Sequence, residues 1–125
     1  MNHTQRPVVV SFSGHDPSGG AGIQADIEAI VSHRCHAASI ITCFTAQNTV
    51  NVANVMPQNP ENIMQQADML LRDMPVHAFK IGLIGHIEVA HAIYEIIQKF
   101  PLIPVVLDPI PVSYTHLTLP TNREV

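Results

Sequence analysis

The stretch that most constrains the fold lies near the start of the chain. There an apolar run passes through a glycine-rich turn into a helical pattern. Pro7 to Phe12 reads Pro-Val-Val-Val-Ser-Phe, a β-branched run suited to a buried parallel strand. Ser13 to Asp26 follows as Ser-Gly-His-Asp-Pro-Ser-Gly-Gly-Ala-Gly-Ile-Gln-Ala-Asp. From Ile23 the apolar positions Ile23, Ile27, Ile30 and Val31 fall on one helical face, which points the free amides of the helix N-terminus towards the turn. Such a turn leaves backbone N–H groups uncovered, and a polar or anionic ligand is expected there.

Two phosphate-binding motifs can be tested against these residues. Gly14 and Gly19 have the outer spacing of a Walker A loop, but Gly20-Ala21 stands where Lys-Ser or Lys-Thr is required, so that motif fails. Gly20-x-Gly22-x-x-Ala25 fits a dinucleotide fingerprint. The acid needed about 20 residues further on is missing, because that region reads Thr45-Ala46-Gln47-Asn48. A glycine turn that merely reverses the chain is the alternative, and four glycines in nine residues beside Asp16 and Ser18 weigh against it.

The rest of the chain repeats the strand-to-helix alternation. His36 to Thr45 reads as a second strand that delivers Gln47 at its carboxyl end, the edge where open α/β sheets bind ligands. Val50 to Met56 is expected as a short strand outside the main sheet. Asn59-Pro60-Glu61 has the residues of a helix start, and Ile63, Met64, Ala67, Leu70, Leu71 and Met74 continue one apolar face to Pro75. A strand over 77–81, a helix over 87–100 and a strand at Val105-Val106-Leu107 complete the pattern. This order predicts an α/β fold with a mainly parallel central sheet and right-handed crossovers.

Composition narrows the function classes. The formal net charge is −4 and the six Lys and Arg residues stand apart, so no basic stripe suits nucleic acid or an anionic membrane. No segment has the length of a membrane span or a signal-peptide core, and a cytoplasmic location is expected. Cys35 and Cys43 lack a paired-ligand spacing, and reduced thiols are expected. Eight histidines are present, but His33, Cys35 and His36 have no second cluster to complete a four-ligand metal site.

Four blocks, in order, carry a resemblance: Ser13 to Asp26, Thr45-Ala46-Gln47-Asn48-Thr49, Lys80-Ile81-Gly82-Leu83-Ile84-Gly85, and Val105-Val106-Leu107-Asp108-Pro109. From about Pro7 to about Ile110 the chain resembles the hydroxymethylpyrimidine/phosphomethylpyrimidine kinases of thiamine biosynthesis. The resemblance implies a ribokinase-like three-layer fold, here its N-terminal half. It also implies ATP and Mg2+ as cofactors, an aminopyrimidine as substrate, and a homo-oligomer in the complete enzyme. Vitamin B6 kinases of the same fold and a noncatalytic binding module are the alternatives.

The same resemblance suggests roles for individual residues. Gln47 has a carboxamide that can meet a ring nitrogen and an exocyclic amine on one edge of an aminopyrimidine, though an exposed turn residue is the plain alternative. Gly14 fits a close backbone contact with substrate. Asp26 is either near the substrate pocket or an acid in a first helical turn that steadies the helix. Leu83 either packs on a pyrimidine ring or belongs to the core. Lys80 and Asp108 lie at strand ends, where they would face phosphate, and Asp108 would hold the metal, directly or through water, or else cap the turn before Pro109.

No catalytic base is expected in this chain, because relatives carry it with a glycine-rich anion hole in their C-terminal half. Residues 1–111 are read as the family part. Residues 112–125 depart from the pattern and resemble a translated adapter or vector tail.

Overall fold

The computed structural model describes residues 6–108, and the boundary expected near residue 111 and the tail beyond it lie outside them. The elements run β1 (Val8–His15), α1 (Gly22–Ser32), β2 (His36–Gln47), β3 (Val52–Pro57), α2 (Pro60–Asp73), β4 (Ala78–Ile81), α3 (Ile87–Gln98) and β5 (Val105–Leu107). The five strands form one sheet in the order β3-β2-β1-β4-β5. β2, β1, β4 and β5 are mutually parallel, and β3 is antiparallel to β2.

The period-2 pattern of β1 separates two faces. Val8, Val10 and Phe12 are fully buried and pack in the main core with Ile40, Phe79 and Ile81. Ile63 and Ala67 of α2 and Val89, Ile93 and Ile96 of α3 cover that side. Ser11 points the other way, to α1. The result is three layers, with two helices over the apolar face of the sheet and one over a face that carries polar side chains.

Local chemistry explains the helix ends. Asn59 Oδ1 accepts from Glu61 N–H at 2.8 Å, with Pro60 next in the chain, the cap expected from sequence. His86 caps α3 by accepting from Glu88 N–H at Nδ1, 3.1 Å away. His77 Nδ1 accepts from Val8 N–H at 2.9 Å. These histidines are thus occupied by backbone, and among the described residues no group of three metal-ligating side chains occurs.

One strand expectation is corrected. β3 belongs to the main sheet, as its antiparallel edge. Asn48 Oδ1 accepts from Val50 N–H and Asn51 N–H at 2.8 and 2.9 Å, and this side-chain turn folds β3 back on β2. Among the described residues no helix is long and apolar enough to cross a membrane.

Candidate active site

The strand order places a topological switch between β1 and β4. The chain leaves β1 for β2 on one side, and β4 arrives on the other. In open α/β sheets the crevice at the carboxyl ends of such strands is where ligands bind. Gly14 lies near the end of β1, Gln47 is the last residue of β2, Leu83 follows β4, and Asp108 follows β5. The chain therefore gathers its candidate residues along one edge of the sheet.

The glycine-rich turn is organised differently from expectation. Asp16 is 5% exposed, and its Oδ1 accepts from Ser18 N–H at 2.8 Å and Ser18 Oγ–H at 2.7 Å. Burial pushes its carboxyl pKa up, yet hydrogen bonds from the Ser18 hydroxyl and from the backbone N–H groups of Ser18, Ala21 and Gly20 outweigh this and hold it below the usual value. The turn thus holds an anion belonging to the chain itself. The α1 N-cap, Ala21, makes no side-chain cap, and Asp16 supplies the missing acceptor from five residues upstream. Asp16 was not singled out as functional from sequence, although an acid among uncovered amides is the signal that would have found it.

Close packing joins this turn to the strand ends. Gly22 has φ +64° and sits against the Gly14 carbonyl, so a Cβ would collide with backbone oxygen. Gly14 is buried, and a Cβ there would stand 3.0 Å from Cys43 Sγ and 3.2 Å from Leu83 Cδ2, so its small size makes room for these two side chains. The Thr42 hydroxyl donates to the Leu83 carbonyl and ties the loop after β4 to β2. Burial pushes the Cys43 thiol up, against a smaller lowering by the Thr42 hydroxyl.

A charged cluster lies under α1. Lys80 Nζ donates to Asp26 Oδ1 and Oδ2 at 2.8 and 2.9 Å, and Ser11 Oγ donates to Asp26 Oδ2 at 2.7 Å. The Lys80 and Asp26 side chains are only 17% and 14% exposed, so each charge needs the other. This corrects the placement of Asp26 in a first helical turn. It is the fifth residue of α1, whose first turn has no acid, and its partner is a strand lysine instead of the helix dipole. Asp108 is 58% exposed, with Oδ2 4.0 Å from Lys80 Nζ. Gly82 gives the lysine its room: a Cβ there would lie 2.6 Å from Ser13 Oγ and 2.8 Å from Lys80 Nζ. Among the described residues Ser13 Oγ is buried and without a hydrogen-bond partner.

Gln47 is half-buried. Its Oε1 lies 2.6 Å from Thr45 Oγ1, which is 2.8 Å from the His15 carbonyl. The His15 ring meets Phe44 edge-on, with centroids 5.9 Å apart. Neither Thr45 nor His15 was singled out from sequence.

Sheet order and layering define an α/β protein of ribokinase-like fold, the fold of its structural neighbours. A model of the phosphomethylpyrimidine kinase family matches residues 16–125, and the chain belongs to that family. It is 37% identical over 113 residues to a hydroxymethylpyrimidine/phosphomethylpyrimidine kinase of Synechococcus elongatus, covering 90% of this chain and 43% of that one. It is also similar to the crystal structure of phosphomethylpyrimidine kinase from Clostridium difficile 630, at TM-score 0.80 and 34% identity over 95% of this chain and 52% of that one. A pyridoxal kinase of Bacillus subtilis shares the fold at TM-score 0.76 and 23% identity, over 95% of this chain and 44% of its own. The chain spans about half or less of the length of these relatives.

Proposed function

We propose that the protein contributes the pyrimidine-binding half of a kinase that transfers the γ-phosphoryl group of ATP to 4-amino-5-hydroxymethyl-2-methylpyrimidine and then to its monophosphate. The observation that carries this reading is the common edge of Gly14, Gln47 and Leu83, in a chain whose family is phosphomethylpyrimidine kinase. Gln47 reads the amino edge of the ring and Leu83 offers an apolar wall, while Gly14, itself buried, makes the room in which Leu83 packs. Asp26 is held by Lys80 and Ser11, so its part is to keep the floor of the crevice polar and fixed.

Asp108, exposed and beside Lys80, would meet a hydrated Mg2+ or a phosphate. One carboxylate with water and phosphate oxygens as the other ligands is an ordinary Mg2+ arrangement. That ion would offset charge on the phosphoryl group during transfer. Phosphoryl transfer depends on alignment of nucleophile, phosphates and metal together, and the residues described here hold the pyrimidine side of that alignment.

Calorimetric titration with the hydroxymethylpyrimidine and with pyridoxal tests the proposal. Tighter binding of the pyrimidine is expected, with a loss of about tenfold or more in Gln47→Ala, the scale of one buried hydrogen bond. Preference for pyridoxal, or indifference to Gln47→Ala, would overturn it.

A further inference from the structure

The Thr45 hydroxyl has a single proton but stands within hydrogen-bond distance of two oxygens, the His15 carbonyl at 2.8 Å and Gln47 Oε1 at 2.6 Å. It cannot donate to both. The backbone carbonyl can only accept, and β1 fixes it in place. A carboxamide can exchange its oxygen and nitrogen by a half-turn about its last torsion. The conflict is relieved if Thr45 donates to His15 and Gln47 turns so that Nε2 donates to Thr45 Oγ1. Thr45 is only 8% exposed, so water is a poor substitute for either partner.

We propose that Thr45 is a positioning residue that sets the direction of the Gln47 carboxamide and thereby the hydrogen-bond polarity read in the ring. This rests on the reading of Gln47 as the substrate contact. With one N–H committed to Thr45, Gln47 presents Oε1 and its second N–H together. That pair complements an edge with an exocyclic amine beside an unprotonated ring nitrogen. It opposes the edge of a 4-oxo pyrimidine, in which the ring N–H donates and the oxygen accepts. Without Thr45 the carboxamide is free to reverse, and the reversed amide suits the 4-oxo ring. Discrimination between the two rings thus comes from a hydroxyl that does not touch either.

The test is the ratio of dissociation constants for the 4-amino pyrimidine and its 4-oxo analogue, measured on the 125-residue chain and its variants. The unaltered chain is expected to prefer the amino ring by about tenfold or more, the scale of one mismatched buried pair. Thr45→Val should bring the ratio towards unity by improving binding of the oxo ring, and Thr45→Ser should restore the preference. A merely structural role for Thr45 would weaken both ligands alike and leave the ratio unchanged, which overturns the proposal. If Thr45→Val leaves the ratio intact while Gln47→Ala abolishes it, Thr45 has no positioning role but Gln47 keeps its own. If Gln47→Ala leaves the ratio intact, both fail. A nuclear Overhauser contact between the Gln47 Nε2 protons and the Thr45 methyl in the unaltered chain checks the amide direction independently of any variant, and its absence overturns the proposal.

Discussion

Removing the Asp16 carboxylate tests whether the glycine-rich turn depends on its internal anion. In Asp16→Ala the Ser18 hydroxyl and the N–H groups of Ser18, Gly20 and Ala21 lose their acceptor. Ser18, Gly20 and Ala21 are themselves exposed, so water replaces part of what is lost. The expected cost is about 2 kcal/mol, the upper range for loss of a helix cap. Asp16→Asn keeps an acceptor but not its charge and should cost about 1 kcal/mol, the difference between a charged and a neutral hydrogen bond.

The pH dependence has a definite sign. The Asp16 pKa is lowered from 3.8 in the folded chain, so the unfolded chain takes up its proton first as pH falls. The ionised group therefore contributes its full stability above about pH 4, and that contribution is lost as pH drops through the folded value. Urea unfolding followed by circular dichroism between pH 7 and pH 2 gives the comparison. The gap between the unaltered chain and Asp16→Asn should be constant at neutral pH and close below 3.8. A gap that persists unchanged to pH 2, or an Asp16→Ala cost below about 0.5 kcal/mol, the ordinary range of surface changes, would refute the reasoning.

Lys80→Met should cost about 3 kcal/mol in the same assay, the lower end for breaking a buried ion pair, because both side chains keep some exposure. Adding Asp26→Asn should recover most of that loss, since Asn still accepts from Ser11; a double variant no better than the single one would show that the pair is not the cause. Gly22→Ala should cost at least about 2 kcal/mol, since it combines positive φ with collision against the Gly14 carbonyl. A smaller loss in urea unfolding would mean that α1 can move off β1 cheaply.

Much of the fold was legible because the strands and helices differ in period. Asn59-Pro60 marked its helix, and Val8, Val10 and Phe12 fill the core their run implied. β3 was missed as part of the sheet because most of its residues have no buried face to impose a pattern. The evidence lay in the Asn48 turn instead of in the strand. The site was readable only as a set of strand-end residues. Asp26 and Lys80 are 54 positions apart, and no local rule joins them. Only the docking of β4 against β1, which sets Lys80 opposite Ser11, shows that the acid serves a lysine. Thr45 and His15 escaped notice because their role lies in which atom donates, a property of contact geometry that residue spacing does not carry.

That same separation sets an order of events in folding. β1, α1 and β2 are contiguous and can associate with short loop closures, whereas Lys80 reaches Asp26 only after the intervening β3 and α2 have been traversed. Until β4 arrives, Asp26 on α1 must remain hydrated, and the helix cannot seat fully on the sheet without burying a lone charge. The ion pair thus acts as a late latch, so Lys80→Met should raise the unfolding rate more than it slows folding. The strand-end edge gains its second side in that step, when β4 brings Lys80 and Leu83 to the edge already formed by β1 and β2, and only then can β5 add Asp108 beside them.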